Sequence, residues 1–170
     1  MGVPFAEELR AIVLAAGARL REMSPELAAL PPAPGKWCPA EIIGHLVDSA
    51  SNNHQRFVRA RFRPDLRFDG YDQDTWVAAQ GYQSAPWSEL LDLWVSFNLH
   101  LARVMEGTPP EVLEALRSDH NLHQLAWELV PEDQPATLAH FMRDYVGHLK
   151  HHLAQIDPAL AAAPAGQRAP

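Results

Sequence analysis

Four stretches of this sequence repeat apolar residues every three or four positions, and each ends near a proline or glycine. This spacing places apolar side chains along one face of an α-helix. No window alternates apolar and polar residues as a half-buried strand would. The pattern predicts long helices over about 4–23, 39–61, 84–107 and 137–156, the third beginning at residue 84 or 86. Four such helices joined by long connections predict an all-α four-helix bundle.

The length and composition fit one helical domain. The chain has 170 residues, 47% of them apolar, which is enough to fill a single core. We predict that this domain covers residues 1–157. Residues 158–170 contain little apolar bulk and several prolines, so we predict a disordered C-terminal tail there.

Charge and cysteine content exclude several classes of protein. A formal charge of −7 argues against nucleic acid or anionic lipid as the partner, and no apolar run is long enough for a membrane span. The single cysteine, Cys38, excludes a disulfide framework, and the first residues do not resemble a signal peptide. We therefore predict a cytoplasmic protein, whose partner could be a small uncharged or cationic ligand or another protein.

The connection between the second and third predicted helices is longer than a bundle requires. Its segment 71–76, YDQDTW, has two interpretations. In one, Tyr71 and its neighbours form a lid over a binding site. In the other, Asp72 and Asp74 cap backbone groups and Trp76 plugs the bundle. After the third helix, a short helix and an irregular excursion are predicted.

The fourth predicted helix contains HLKHHLAQI, residues 148–156, with three histidines in five positions. His152 falls within the apolar seam of this helix, and His148 lies one turn earlier on the same side. His151 is rotated by about 100° from His152 and faces elsewhere. His148 and His152 are therefore the pair expected to point into the bundle.

The second predicted helix repeats this anomaly. His45 lies at the edge of its apolar stripe, and Ser49 and Asn52 continue a polar edge four and seven residues later. An unpaired buried polar group costs about 1–3 kcal/mol, so buried imidazoles need partners. Arg56 and Arg59 follow on the same helix and could bind a ligand carboxylate, but we expect solvated or paired side chains.

A divalent transition metal would satisfy three imidazole lone pairs at once. Its open positions would accept water or substrate, as a catalytic metal requires. Asp48 and Asp144, each about one turn from a histidine, are the candidate carboxylates for fixing the imidazole tautomers. His100, Asn52 and the segment 71–76 stay open as further contributors. Without a metal, the histidines would instead bond one another and nearby carboxylates.

Four blocks of the sequence resemble the DinB-like, or YfiT-like, superfamily in order and spacing. They span about residues 36–156 and read GKWCPAEIIGHLVDSASNNHQRFVRA, YDQDTWV, LLDLWVSFNLHLARV and LAHFMRDYVGHLKHHLAQI. The first block is similar to the family's W-x-x-x-E-x-x-x-H motif, at Trp37, Glu41 and His45. The last block is similar to its H-x-x-x-H-x-x-Q-I motif, which begins at His148.

This resemblance implies a DinB/YfiT-like four-helix bundle, commonly a homodimer, that binds one divalent ion through His45, His148 and His152. Zinc or nickel is expected first, then manganese, iron or cobalt. It also implies a metal-dependent hydrolase or a transferase that uses a low-molecular-weight thiol, as a maleylpyruvate isomerase among the relatives does. A stress-response module that binds a metal or ligand without turnover is the alternative.

Overall fold

The computed structural model describes residues 3–161 of the chain. In chain order the elements are α1 Pro4–Leu20, α2 Pro25–Ala28, α3 Pro39–Ala60, α4 Gln73–Gln80, a 3-10 turn Tyr82–Ser84, α5 Trp87–Glu106, α6 Pro110–Leu113, α7 Leu122–Leu125, α8 Leu138–Ile156 and a 3-10 turn Pro158–Ala161. The long helices α1, α3, α5 and α8 form the bundle, and the short elements lie in the connections. The predicted four-helix bundle with long connections is confirmed.

The bundle is arranged so that α1 and α3 each pack against both α5 and α8. Its core contains large side chains with no more than 2% of their surface exposed: Leu9, Ile12, Leu20, Ile43, Leu46, Phe57, Leu66, Leu91, Trp94, Leu101, Met105 and Phe141. Burial of this apolar surface is the main force that holds the helices together. Among residues 3–161, no helix has the length and apolarity needed to cross a lipid bilayer.

Local capping fixes where α3 and α8 begin. Proline at the first position of α3 loses no hydrogen bond there, and the Cys38 backbone N–H before it donates to Glu41 Oε2 at 2.8 Å. At α8, Thr137 Oγ1 accepts from the His140 backbone N–H at 3.0 Å. These caps set the helical phase of both helices, and therefore the direction in which their histidines point.

Two long connections are tied to each other beside the bundle. The Leu66 backbone N–H donates to the Asp119 carbonyl at 2.9 Å, and Asn121 N–H donates back to the Leu66 carbonyl at 3.3 Å. Arg117 and Ala136 exchange a second pair of backbone hydrogen bonds, at 2.8 and 3.0 Å. The predicted irregular excursion after the third helix is thus ordered by hydrogen bonds outside the helices.

The connection after α3 contains a two-turn helix, α4, which the apolar pattern did not predict. Asp72 caps it, since its carboxylate accepts from the Thr75 backbone N–H at 2.7 Å. Gly81 ends it with a left-handed backbone, φ 61°, which suits glycine. Only Val77 of α4 is buried, so its sequence carries almost no amphipathic signal.

The C-terminal prediction needs one correction. The tail expected to be disordered from residue 158 begins with an ordered 3-10 turn, Pro158–Ala161. Leu160 within it is only 4% exposed and packs into the bundle core. One leucine supplied enough apolar surface to hold this turn, although the surrounding composition is poor in apolar residues. Residues 162–170 lie outside the part of the chain that the structure describes.

Candidate metal centre

Three histidines from two facing helices converge inside the bundle. His45 comes from α3, and His148 and His152 come from α8. One ring nitrogen from each lies within 4.8 Å of the others, and the Nε2 atoms of His45 and His148 are 3.3 Å apart. The His152 ring centroid is 4.5 Å from both other rings. The structure therefore brings together the three histidines selected from the sequence.

The three imidazoles are held in their neutral form. Burial lowers the pKa of His45 and of His148 to about 3 in each case, and neighbouring histidines add to the effect. Burial also lowers the pKa of His152. A neutral imidazole keeps one nitrogen lone pair, which is the form that binds a metal.

Hydrogen bonds orient two of the rings. His152 Nδ1–H donates to Gln155 Oε1 at 2.9 Å, and His148 Nδ1 lies 3.4 Å from Ser49 Oγ. A proton on Nδ1 leaves the Nε2 lone pair free to face the centre of the cluster. His45 Nδ1 is buried without a hydrogen-bond partner among the described residues.

This donor set fits a divalent transition metal. A hydrogen bond between the Nε2 atoms of His45 and His148 satisfies one lone pair, yet three rings aim nitrogens at the same small region. Three imidazole nitrogens are a common ligand set for zinc and suit nickel equally. His45, His148 and His152 are named below as the triad.

The two carboxylates expected to orient the histidines have other partners. Asp48 Oδ1 accepts from the Tyr82 hydroxyl and from Gln80 Nε2, each at 2.7 Å. Tyr82 reaches it because Gly44 has no side chain; a Cβ there would lie 2.1 Å from the Tyr82 ring. Asp48 Oδ2 is buried without a hydrogen-bond partner among the described residues, and the role of Asp48 in orienting a histidine stays a prediction.

Asp144 also has hydrogen-bond partners outside the triad, and its role in orienting a histidine stays a prediction. Its carboxylate accepts from the backbone N–H groups of Trp127 and Glu128, at 3.0 and 2.8 Å. These bonds anchor the segment after α7 to α8. Asp144 is therefore a structural tie beside the triad, and Ser49 and Gln155 take the positions where carboxylates were expected.

Two other candidates lie away from the triad. His100 pairs with His54, at 5.2 Å between ring centroids, on the face between α3 and α5. Asn52 donates to the backbone carbonyl of Asp48 at 2.9 Å, which occupies its amide within α3. Neither residue belongs to the cluster of ring nitrogens.

For the segment 71–76, the structure agrees with one part of each interpretation made from the sequence. Asp72 caps α4, as the structural interpretation predicted. Trp76 is 39% exposed and packs on Tyr71, with ring centroids 4.7 Å apart, so it does not plug the bundle. Tyr71 lines a cavity beside the triad, as a residue over a binding site would.

A cavity of about 420 Å³, named the central cavity, opens next to the triad. Its wall contains His45 and His148, further residues of α3 and α8, and the segments 70–73 and 124–127. Trp127, 44% exposed, lies on its wall. On another side, Trp37 covers the triad, with its ring centroid 5.2 Å from His45 and 6.3 Å from His152. A ligand in the cavity would thus contact the triad from one direction.

Two cavity residues, Arg56 and Tyr71, were raised from the sequence without being placed in the site. Arg56, expected to be solvated or paired, is only 7% exposed, and burial lowers its pKa. Burial raises the pKa of Tyr71 to about 12, and a hydrogen bond with Ser49 opposes that shift. Helical phase offered a signal for Arg56, since eleven residues after His45 the helix has returned to within about 20° of the same direction.

Comparisons with known proteins agree with this architecture. YfiT from Bacillus subtilis, a solved structure, superimposes with a TM-score of 0.71 at 20% identity, covering 93% of this chain and 84% of that one. It is described as a probable metal-dependent hydrolase with an unusual four-helix bundle topology. No curated protein sequence matches the chain. The model of one family, described as the DinB superfamily, matches residues 8–156, and the chain therefore belongs to the DinB superfamily.

Proposed function

We propose that this protein is a metal-dependent hydrolase that holds one divalent ion, zinc or nickel, through the triad and cleaves an ester or amide bond of a small substrate. The observation that carries the proposal is the convergence of three neutral imidazoles, two of which, His45 and His148, line a cavity of about 420 Å³. The description of YfiT as a probable metal-dependent hydrolase supports the same class of reaction.

The ion, when bound, would supply a Lewis acid that polarises a carbonyl group and lowers the pKa of water. The triad would hold it, and the hydrogen bonds of His148 with Ser49 and of His152 to Gln155 Oε1 keep the two rings in orientation. Trp37 packs against His45 and His152, and its ring limits the positions that these two imidazoles can take.

Tyr71 is the residue best placed to supply a proton. Its pKa of about 12 keeps the phenol protonated at neutral pH. It lines the same cavity as His148 and shares Ser49 as a hydrogen-bonding neighbour. We assign it the role of donating a proton from Oη to the leaving group as the scissile bond breaks.

Metal analysis tests the first half of the proposal. Protein purified without a histidine tag should contain about one equivalent of zinc or nickel and should lose its activity when the ion is chelated. Hydrolysis of a panel of esters and amides should return when the ion is added back. A content below about a tenth of an equivalent after reconstitution would falsify the proposal.

Tyr71→Phe tests the proton donor. The variant should keep its metal and hydrolyse activated esters at close to the original rate. It should lose about 10²-fold or more on amides, whose leaving group needs a proton. An equal loss on both substrates would contradict the assigned role.

The same assays separate the other functions expected from the resemblance. Turnover only when a low-molecular-weight thiol and an electrophile are both supplied would replace the hydrolase with a thiol-dependent transferase. A full equivalent of metal with no turnover in either screen would leave a binding module. The expected homodimer stays a prediction, which light scattering tests.

A further inference from the structure

Arg56 is a buried cation with few partners. Its side chain is 7% exposed, and its Nη2 donates to the Asp69 backbone carbonyl at 2.7 Å. It takes part in none of the ion pairs formed within residues 3–161. A guanidinium has five N–H donors, so a single carbonyl leaves most of its capacity unused.

The other charged groups around Arg56 do not neutralise it. Asp144 lines the same cavity, but its carboxylate is engaged by two backbone N–H groups. Asp69 contributes its carbonyl, and burial lowers the pKa of Arg56 overall, although the exposed Asp69 carboxylate raises that pKa without forming an ion pair. Tyr71 stays protonated at neutral pH. Arg56 also lines an outer groove with Arg59, Arg63 and Arg67, of which Arg63 pairs with Asp65 and Arg67 with Asp119.

Arg56 and the triad face the same cavity. Arg56 lies three turns after His45 on α3, within about 20° of the same helical direction and roughly 16 Å further along the axis. Both residues line the central cavity. Between them lies Asn53, whose Oδ1 is buried without a hydrogen-bond partner in the described part of the chain. A ligand that reaches from the triad to Arg56 would pass this acceptor.

Burying a cation without a counter-charge is unfavourable, so this arrangement indicates that an anion completes the site. A carboxylate matches the planar fork of a guanidinium, which can donate two parallel hydrogen bonds to it. The separation from the triad requires an elongated ligand with its carboxylate several bonds from the reacting carbonyl.

We propose that Arg56 determines substrate specificity by binding the carboxylate of a small anionic ester or amide whose scissile carbonyl lies at the triad. This inference rests on the proposed hydrolase function for its second half. The anion site itself does not depend on turnover, because Arg56 is present in the protein with or without a metal.

Ligand binding tests the anion site alone. Glutarate should bind the chelator-treated protein at least tenfold more tightly than glutaramide, its neutral analogue, in calorimetric titrations. Arg56→Met should abolish this preference, and Arg56→Lys should restore part of it. Arg59→Met is the matched control, since it removes an exposed arginine that lines only the outer groove, and it should leave the preference intact.

Kinetics test the link to the triad. The metal-loaded protein should hydrolyse mono-4-nitrophenyl suberate, whose chain is longer, with a KM at least tenfold below that for 4-nitrophenyl octanoate, and Arg56→Met should raise only the first KM. Equal binding of glutarate and glutaramide to the wild-type protein would overturn the proposal without any variant. Glutarate preference without metal or hydrolysis would instead contradict the hydrolase and retain the carboxylate site.

Discussion

Helices α1 and α3 occupy equivalent places in the bundle, because each packs against both α5 and α8, yet their buried faces differ in kind. Every buried side chain of α1 is apolar, apart from one glycine. The buried face of α3 includes five polar or charged residues: His45, Asp48, Ser49, Asn53 and Arg56. The same packing position thus serves two purposes within one fold.

The buried face of α1 contributes mainly to stability, whereas the buried face of α3 contributes to the candidate site. Apolar burial on α1 stabilises the fold at every pH, since none of its buried groups titrates. The polar face of α3 gives up some of that stabilisation, because each buried polar group loses its hydration. What it gains is a set of oriented imidazoles and a guanidinium beside a cavity.

The largest expected effect is the change of stability with pH. His45 and His148 have pKa values lowered to about 3 in the fold and ordinary values near 6.5 in the unfolded chain. Below pH 6.5 the unfolded state therefore binds more protons, and the stability of the metal-free protein should fall as pH falls. We expect a loss on the order of 4 kcal/mol between pH 7.5 and pH 5 in urea titrations.

A variant on the polar face provides the control for this pH effect. His45→Gln removes from α3 one of the two imidazoles whose pKa is lowered to about 3, so the loss of stability over the same interval should shrink by roughly half. An unchanged pH dependence in this variant would show that other groups cause it, and the contrast between α1 and α3 would lose its electrostatic basis.

The next largest effect is the destabilisation expected from a substitution on the apolar face of α1. Ile12 of α1 has no exposed surface, and Ile12→Ala should destabilise the protein by about 3 kcal/mol through lost burial and a residual cavity. Its unfolding free energy should fall by the same amount at pH 7.5 and at pH 5. The folded variant should bind metal with unchanged affinity, and weaker binding would mean that the two faces are coupled.

The two faces were not equally predictable from sequence. Apolar spacing is enough to place α1, and the phase of α3 and α8 brought His45, His148 and His152 to the inside of the bundle. Helical periodicity is local, so neighbouring residues carry the whole signal. This is why the four long helices and the triad were found from sequence.

The surroundings of the triad were not predictable in the same way. Asp48 bonds to Tyr82 instead of a histidine, and Asp144 bonds to the backbone at Trp127. Both partners come from connections, whose paths depend on contacts between residues distant in sequence. The burial of Arg56 has the same origin, since the cavity beside it is walled by segments 70–73 and 124–127.

Removing one histidine of the triad from α8 should weaken metal binding without unfolding the protein. His148→Ala should weaken zinc binding at least 100-fold, about 2.7 kcal/mol, because two imidazoles remain in place of three. Metal content after dialysis and the shift of melting temperature by added zinc would measure this loss. Retention of one zinc equivalent at the original affinity would exclude His148 as a ligand.

The smallest expected effect concerns the hydroxyl beside the triad. Ser49 Oγ lies 3.4 Å from His148 Nδ1, a long and therefore weak hydrogen bond. Ser49→Ala should lower zinc affinity only a few-fold, less than about 1 kcal/mol, because the ring is also held by packing. Ser51→Ala, two residues along the same helix and facing a different direction, is the matched control and should leave zinc affinity unchanged. If both variants bind zinc like the wild type, packing alone orients His148, and the polar face of α3 contributes less to the site than its burial suggests.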